Sequence, residues 1–202
     1  MRQTGDSVSP MSNKGRNQYV VEHITQAVLQ LMQKQNLADL SISRICEEAG
    51  VGRASFYRNF ESKEAVISRH LKTLLDNWWA EAIQKPDFHL VEAIFSHYWA
   101  QRELCMLLQR QGLAHLTLQS LRGACGPKSE QPNAVAYTTA FLSYGLYGWI
   151  EEWFRRGMQE TPEEMARLFE DAQMSATQGS SRFQNEVSRD ENSEAGWHAD
   201  RI

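Results

Sequence analysis

The sequence predicts an all-α protein. Alternating β-branched runs are nearly absent, leucine, alanine, glutamine and glutamate are frequent, and apolar residues recur at helical spacing, as in Val20, Ile24, Ala27, Val28 and Leu31. At 202 residues the chain can hold one or two small domains with a proper core. Its pattern divides into a polar segment over 1–17, read as a disordered basic arm, and helical units over 18–72 and 73–175. A polar tail over 176–202 is read as disordered. In the arm, Lys14 and Arg16 are placed to trail along an anionic backbone.

The first helix is expected over 18–35, with 36–40 breaking it. Ser41 is a good cap for a second short helix whose inward positions are Ile42, Ile45, Cys46 and Ala49. Gly50 then stands where the chain must leave that helix in a left-handed conformation, which glycine adopts without steric cost. Val51 is the one apolar residue of the turn, placed to plug the angle between two helices, with Ile45, Phe56 and Phe60 closing a small core around it. Helix, tight turn, helix is the result, and such a unit exposes its second helix.

That second helix carries Arg53, Ser55, Arg58 and Asn59 on the side read as facing away from Phe56 and Phe60, with Tyr57 beside them. Arginine can donate two hydrogen bonds to a guanine edge, asparagine can pair with adenine, and tyrosine or serine can reach phosphate oxygens. Ser62 caps the next helix and puts Lys63 in its first turn, where the helix dipole disfavours a cation unless an anion such as phosphate is near. Arg44 lies on the exposed side of the preceding helix.

Residues 18–72 resemble the N-terminal DNA-binding domain of the tetracycline-repressor (TetR/AcrR) family of bacterial transcription regulators. Ala49-Gly50-Val51, Phe56-Tyr57, Phe60 and Ser62-Lys63-Glu64 carry the resemblance. Three positions depart from it: Gly52 stands where a serine or threonine cap is usual, Cys46 where alanine is common, and Asn59 where histidine or tyrosine is frequent. The residues read as facing double-stranded DNA are Ser41, Ser43, Arg44, Arg53, Ala54, Ser55, Tyr57, Arg58, Asn59 and Lys63. The resemblance implies a dimeric repressor of a near-palindromic operator, released when an effector binds the C-terminal half. It also implies that the fourth helix carries ligand binding to the reading pair.

That fourth helix is expected over 63–84, stopped by Lys85-Pro86-Asp87. Further helices are expected over 89–102, 103–110 and 113–121, then a mobile loop over 123–132. Residues 133–156 are apolar on nearly every side, which calls for burial on every side. A chain this small has too few helices to provide it, so a second subunit is the economical cover. Gly145 and Gly148 each cost about 1 kcal/mol inside a helix and make sense where another backbone approaches closely. Thr161-Pro162-Glu163-Glu164 starts a last helix through a capping box. The dimer surface is therefore expected on Gly145, Gly148, Trp149, Trp153, Met165, Leu168 and Phe169. An effector pocket is expected from Trp79, Phe95, Trp99, Phe141 and Tyr144, with His115 and Tyr137 as polar handles, for a small apolar or aromatic effector. A protein partner is the other reading of that half.

Charge supports the division. Residues 1–72 hold ten Lys/Arg against seven Asp/Glu, or +3, and the remainder is −7, within a net charge of −4. Positive charge thus gathers where counterion release from DNA would reward it. Cys46, Cys105 and Cys125 share no metal-ligand spacing, and reduced cytoplasmic thiols fit them. No membrane segment, metal or cofactor is expected. An enzyme is discounted, because no nucleophile with a base, paired carboxylates, phosphate-binding glycine loop or metal cluster occurs. The competing class is a helical adaptor whose aromatic half binds another protein.

Overall fold

The computed structural model describes residues 13–86 and 88–175, and every regular element among them is helical. The first, α1 (Asn13–Met32), buries Ile24, Ala27, Val28, Leu31 and Met32 along one stripe. It begins earlier than its apolar pattern, so 13–17 is helical rather than disordered. Once the apolar turns are anchored, each polar residue added in front closes a further hydrogen bond without a new nucleation cost. The rest of the expected arm, 1–12, and the tail, 176–202, lie outside the described residues. After α1 the chain makes turns and a single 3-10 turn (Leu37–Asp39) that buries Leu37.

Ser41 then caps α2 (Ile42–Glu48), its Oγ accepting from the Arg44 N–H at 3.1 Å. Gly50 has φ +64°, with the Gly50 N–H donating to Glu47 O and the Val51 N–H to Cys46 O. That is a Schellman closure, and it needs the left-handed residue that the sequence supplies. Gly52 caps α3 (Arg53–Asn59) without a side-chain bond, and Ser62 caps α4 (Lys63–Ala82) by accepting from the Ala65 N–H at 3.1 Å.

Beyond α4 lie α5 (Leu90–Ala100), α6 (Arg102–Arg110), α7 (His115–Cys125) and α8 (Asn133–Arg155). A last helix, α9, covers 162–175. The expected loop over 123–132 starts later than predicted, because α7 continues through Gly123 to Cys125. The remaining loop is pinned: Lys128 Nζ donates to Gly123 O at 2.7 Å, and the Lys128 N–H to Gln131 Oε1 at 2.9 Å. The predicted capping box of α9 is formed, with the Thr161 N–H donating to Glu164 Oε2 at 2.8 Å and the Glu164 N–H to Thr161 Oγ1 at 3.3 Å.

Two cores result. The first gathers Ile24, Val28, Leu37, Ile45, Phe56, Phe60, Val66 and Ile67 from α1 to the start of α4, with Val51 against them. Leu107, Leu108 and Leu116, from α6 and α7, complete it. The second gathers Ile94, Phe95, Tyr98, Cys105, Leu121, Ile150, Trp153, Phe154 and Phe169. Phe95 meets Trp153 edge to face at 5.5 Å, and Trp99 stacks on Trp153 at 5.8 Å. Helix α4 reaches both, with Val66, Ile67 and Leu71 in the first core and Trp78 against the second, and it contacts α1 and α7. At 1.5 Å per residue its 20 residues reach about 30 Å.

His97 is packed into this second unit, 7% exposed, with its ring 4.9 Å from Trp78 and 5.0 Å from Tyr98. Burial disfavours the charged imidazole and pushes its pKa down to about 4. The unfolded chain takes that proton near its ordinary value, about 6.5, so the folded state binds fewer protons between the two. Stability is then full above about pH 6.5 and falls as pH drops toward about 4. By about pH 5 the loss is on the order of 2 kcal/mol. Thermal unfolding at about pH 7 and about pH 5 measures it: the wild-type melting temperature drops, and His97→Gln reduces the drop. An equal drop in both proteins would assign the acid sensitivity elsewhere. Burial also lowers the His70 pKa, which adds to the effect with the same sign.

Candidate nucleic-acid interface

The seven residues of α3 are held by one anchor. Phe56 is fully buried, tilted against Phe60 at 5.8 Å and edge-on to Tyr57 at 5.6 Å. At 100° per residue, fixing Phe56 inward turns Ala54, Tyr57 and Arg58 outward. All three are exposed, Tyr57 at 52%, and Arg53 is exposed beside them. Ser55 and Asn59 are half-buried, nearer the edge of that face than the sequence pattern suggests. Asn59 Nδ2 donates to Ser55 O at 2.9 Å, which leaves its amide oxygen for an outside partner.

The flanks are partly engaged. Ser41 and Ser43 are exposed at the start of α2, with the Ser41 Oγ acceptor taken up in capping. Arg44 Nη1 donates to Glu47 Oε2 at 2.8 Å and Nη2 to Glu48 Oε2 at 3.1 Å. These are exposed pairs within one helix, worth about 0.3–0.5 kcal/mol each, so a phosphate can replace them. Lys63 has a role the dipole argument does not supply. Its Nζ donates to Ala38 O at 2.6 Å and Leu40 O at 3.0 Å, pinning the 3-10 turn to the start of α4. An ammonium has three donors, so one remains.

The pocket expected in the second unit is not assembled. Phe95 is fully buried in the core, and Trp99 is stacked on Trp153 with the Arg102 guanidinium 5.0 Å from its ring. Trp79 is 36% exposed and meets Phe88, His115 is exposed at the start of α7, and Tyr137 and Phe141 are 72% and 78% exposed. Tyr144 is 47% exposed beneath Arg122. The reason lies in the phase of α8: Leu146, Ile150 and Trp153 take the inward face, which turns Tyr137, Phe141 and Tyr144 outward. Instead, a small cavity of about 10 Å³ lies between α4, α5, α6 and α7, lined by Leu71, Leu74, Leu75, His97, Tyr98, Gln101, Cys105, Thr117 and Ser120. The Tyr98 hydroxyl, Thr117 Oγ1 and Ser120 Oγ are buried there with no hydrogen-bond partner among the described residues. No apolar pattern could reveal them. Burial raises the Tyr98 pKa and pushes the Cys105 thiol up to about 12, so both stay neutral.

The α8–α9 surface separates the seven residues expected at a dimer contact. Gly145, Gly148 and Leu168 are exposed, and Trp149 is half-buried edge-on to Phe169 at 5.3 Å. Trp153, Met165 and Phe169 are buried inside the protomer, because α9 folds back on α8. Trp153 Nε1 donates to Glu160 O at 3.2 Å. Trp153 and Met165 also floor a groove of about 540 Å³ lined by Tyr144, Gly145, Gly148, Trp149 and Leu168. On its rim Glu152 accepts from Arg155 and Arg156, which hold its carboxyl well below the usual range. A β-carbon at Gly145 or Gly148 would meet no atom within 4 Å.

Among the described residues no group of three His, Cys, Asp or Glu side chains could hold a metal ion. No helix among them is long and apolar enough to cross a membrane. No curated protein matches the chain. The sequence profile of bacterial regulatory proteins of the tetR family matches residues 24–69, from the second half of α1 to early α4, and that of a transcriptional regulator C-terminal region matches residues 113–174. With a helix-turn-helix that exposes α3 and a helical second unit behind it, the chain belongs to the TetR family of DNA-binding transcription regulators.

Proposed function

We propose that the protein is a cytoplasmic homodimeric repressor that reads a near-palindromic operator and leaves it when an effector binds its C-terminal half. The uncovered groove of α8 and α9 carries this reading: exposed Tyr144 and Leu168 line it beside two glycines that open onto solvent in the protomer. Pairing α8 and α9 with their two-fold copies makes a four-helix bundle and covers that surface. The two copies of α3 then face one side of a duplex, one helical turn apart, about 34–36 Å. Arg58 leads the base contacts, with Arg53, Ala54 and Asn59 around it, and Tyr57 and Ser55 reach toward phosphates. Ser41, Ser43, Arg44 and the third Lys63 donor hold phosphates.

The effector would enter the cavity under α4. Three buried hydroxyls without partners among the described residues favour a ligand that brings hydrogen-bonding groups, and no charged side chain lines the space. Prying α4 from α7 there would tilt the helix that begins in the reading unit, favouring a different spacing of the two heads.

Selection of duplexes from a random pool at fixed salt tests the reading, followed by sizing of the complex. A near-palindrome bound by two chains is expected. A folded protein with no sequence preference would discard the repressor in favour of an adaptor. On the selected duplex, Arg58→Ala should lose about 1–3 kcal/mol of discrimination at its base pair. Lys63→Ala should weaken all sequences alike and lower the salt slope by about one. It should also lower thermal stability by about 1 kcal/mol through the two freed carbonyls. Equal effects of both changes on every sequence would refute the assignment.

A further inference from the structure

The joint between α1 and the reading pair does not satisfy its own backbone. Met32 ends α1, where carbonyls lack intrahelical partners, and the Leu37 N–H opens the 3-10 turn that leads to the Ser41 cap. Both find the same partner, far along the chain. Gln111 Nε2 donates to Met32 O at 2.8 Å and to Gln35 O at 3.3 Å, and its Oε1 accepts from the Leu37 N–H at 2.8 Å. One side-chain amide thus spans the whole turn.

Gln111 is itself held firmly. It ends α6, and Gly112 at φ +70° closes that helix with the Leu113 N–H donating to Leu108 O at 2.8 Å. Leu107 and Leu108 before it and Leu116 after it are buried in the reading unit's core. Three residues before Leu108, Cys105 belongs to the other core. The apex of α6 and α7 therefore joins the regulatory half to the turn, while Lys63 grips the same turn from α4 through Ala38 O and Leu40 O.

We propose that Gln111 is a positioning residue for DNA binding: its amide fixes the angle of the reading pair against the regulatory half, and so the spacing of the two heads in a dimer. This rests on the dimeric reading above and adds the part through which spacing is held. A displaced α6–α7 apex pulls on α1 and α2 directly, in addition to any tilt of α4. Loss of the amide leaves α3 and its contacts intact but lets the heads adopt several spacings.

The test compares the full-length wild-type protein with Gln111→Met, which keeps the side chain's length and removes its hydrogen bonds. In the DNA-free protein, amide hydrogen exchange at Leu37 should become about tenfold faster, while the Phe60 amide, bonded to Phe56 O, is unchanged. On duplexes whose selected half-sites are moved apart by one base pair, the wild-type penalty should be on the order of tenfold. In Gln111→Met it should shrink to about twofold. General destabilisation would lower affinity at every spacing alike. Unchanged Leu37 exchange, or an equal spacing penalty in both proteins, overturns the proposal. A pool that yields no preferred duplex refutes the repressor reading instead, and the role of the Gln111 amide then stands or falls on Leu37 exchange alone.

Discussion

Gly148→Lys is expected to yield a folded monomer that has lost on the order of a thousandfold in operator affinity, the scale at which two linked contacts exceed one. A β-carbon at this position meets no atom of the protomer within 4 Å. Removing glycine from a helix interior contributes up to about 1 kcal/mol of stability. The protomer's melting temperature should not fall. In the dimer the same side chain would lie where two copies of α8 approach. Sedimentation, thermal unfolding and operator binding together decide the matter. A lysine variant that still sediments as a dimer would remove the α8–α9 groove from the interface.

Phe56→Ala should produce the opposite pattern, a dimer that binds no DNA. Deleting a fully buried phenylalanine costs about 3–5 kcal/mol, a large part of the roughly 5–15 kcal/mol that holds a typical domain. The loss falls on one small core. Phe56 is what fixes the rotation of α3, and Arg69 rests on the Phe60 ring at 5.6 Å beside it. The second core, centred on Phe95 and Trp153, shares none of these contacts. Binding should fail on every duplex while the sedimentation of the dimer is retained. Operator affinity within about threefold of wild type would show that this core does not set α3, since the expected loss is far larger.

Local rules made the reading unit legible. Ser41, Gly50, Ser62 and the Thr161–Glu164 box are each decided by a few neighbouring residues, and each forms as its residue type dictates. The fold class and the helix order come from apolar spacing in the same way. The residues expected around an effector pocket are not brought together, because spacing tells that a helix has an apolar face but not which of two apolar faces turns inward. On α8 both sides qualify, and only the packing of Leu146 and Ile150 decides that Phe141 looks outward. Trp153, Met165 and Phe169 are buried within the protomer for the same reason, Trp153 and Met165 forming the floor of the groove. Gln111 and the buried hydroxyls of Tyr98, Thr117 and Ser120 depend on contacts between segments distant in sequence. The only local signal near Gln111 was the helix break at Gly112.

Leu107, Leu108 and Leu116 sit in the reading unit's core although all of α4 and α5 lie between them and α3 along the chain. The head is therefore not a detachable module. Cutting the chain after α4, or grafting this head onto a relative's regulatory half, would leave a hole where three leucines belong unless the α6–α7 apex travels with it. New operator specificities in such a molecule are reached more readily by changing the outward residues of α3 than by exchanging whole heads.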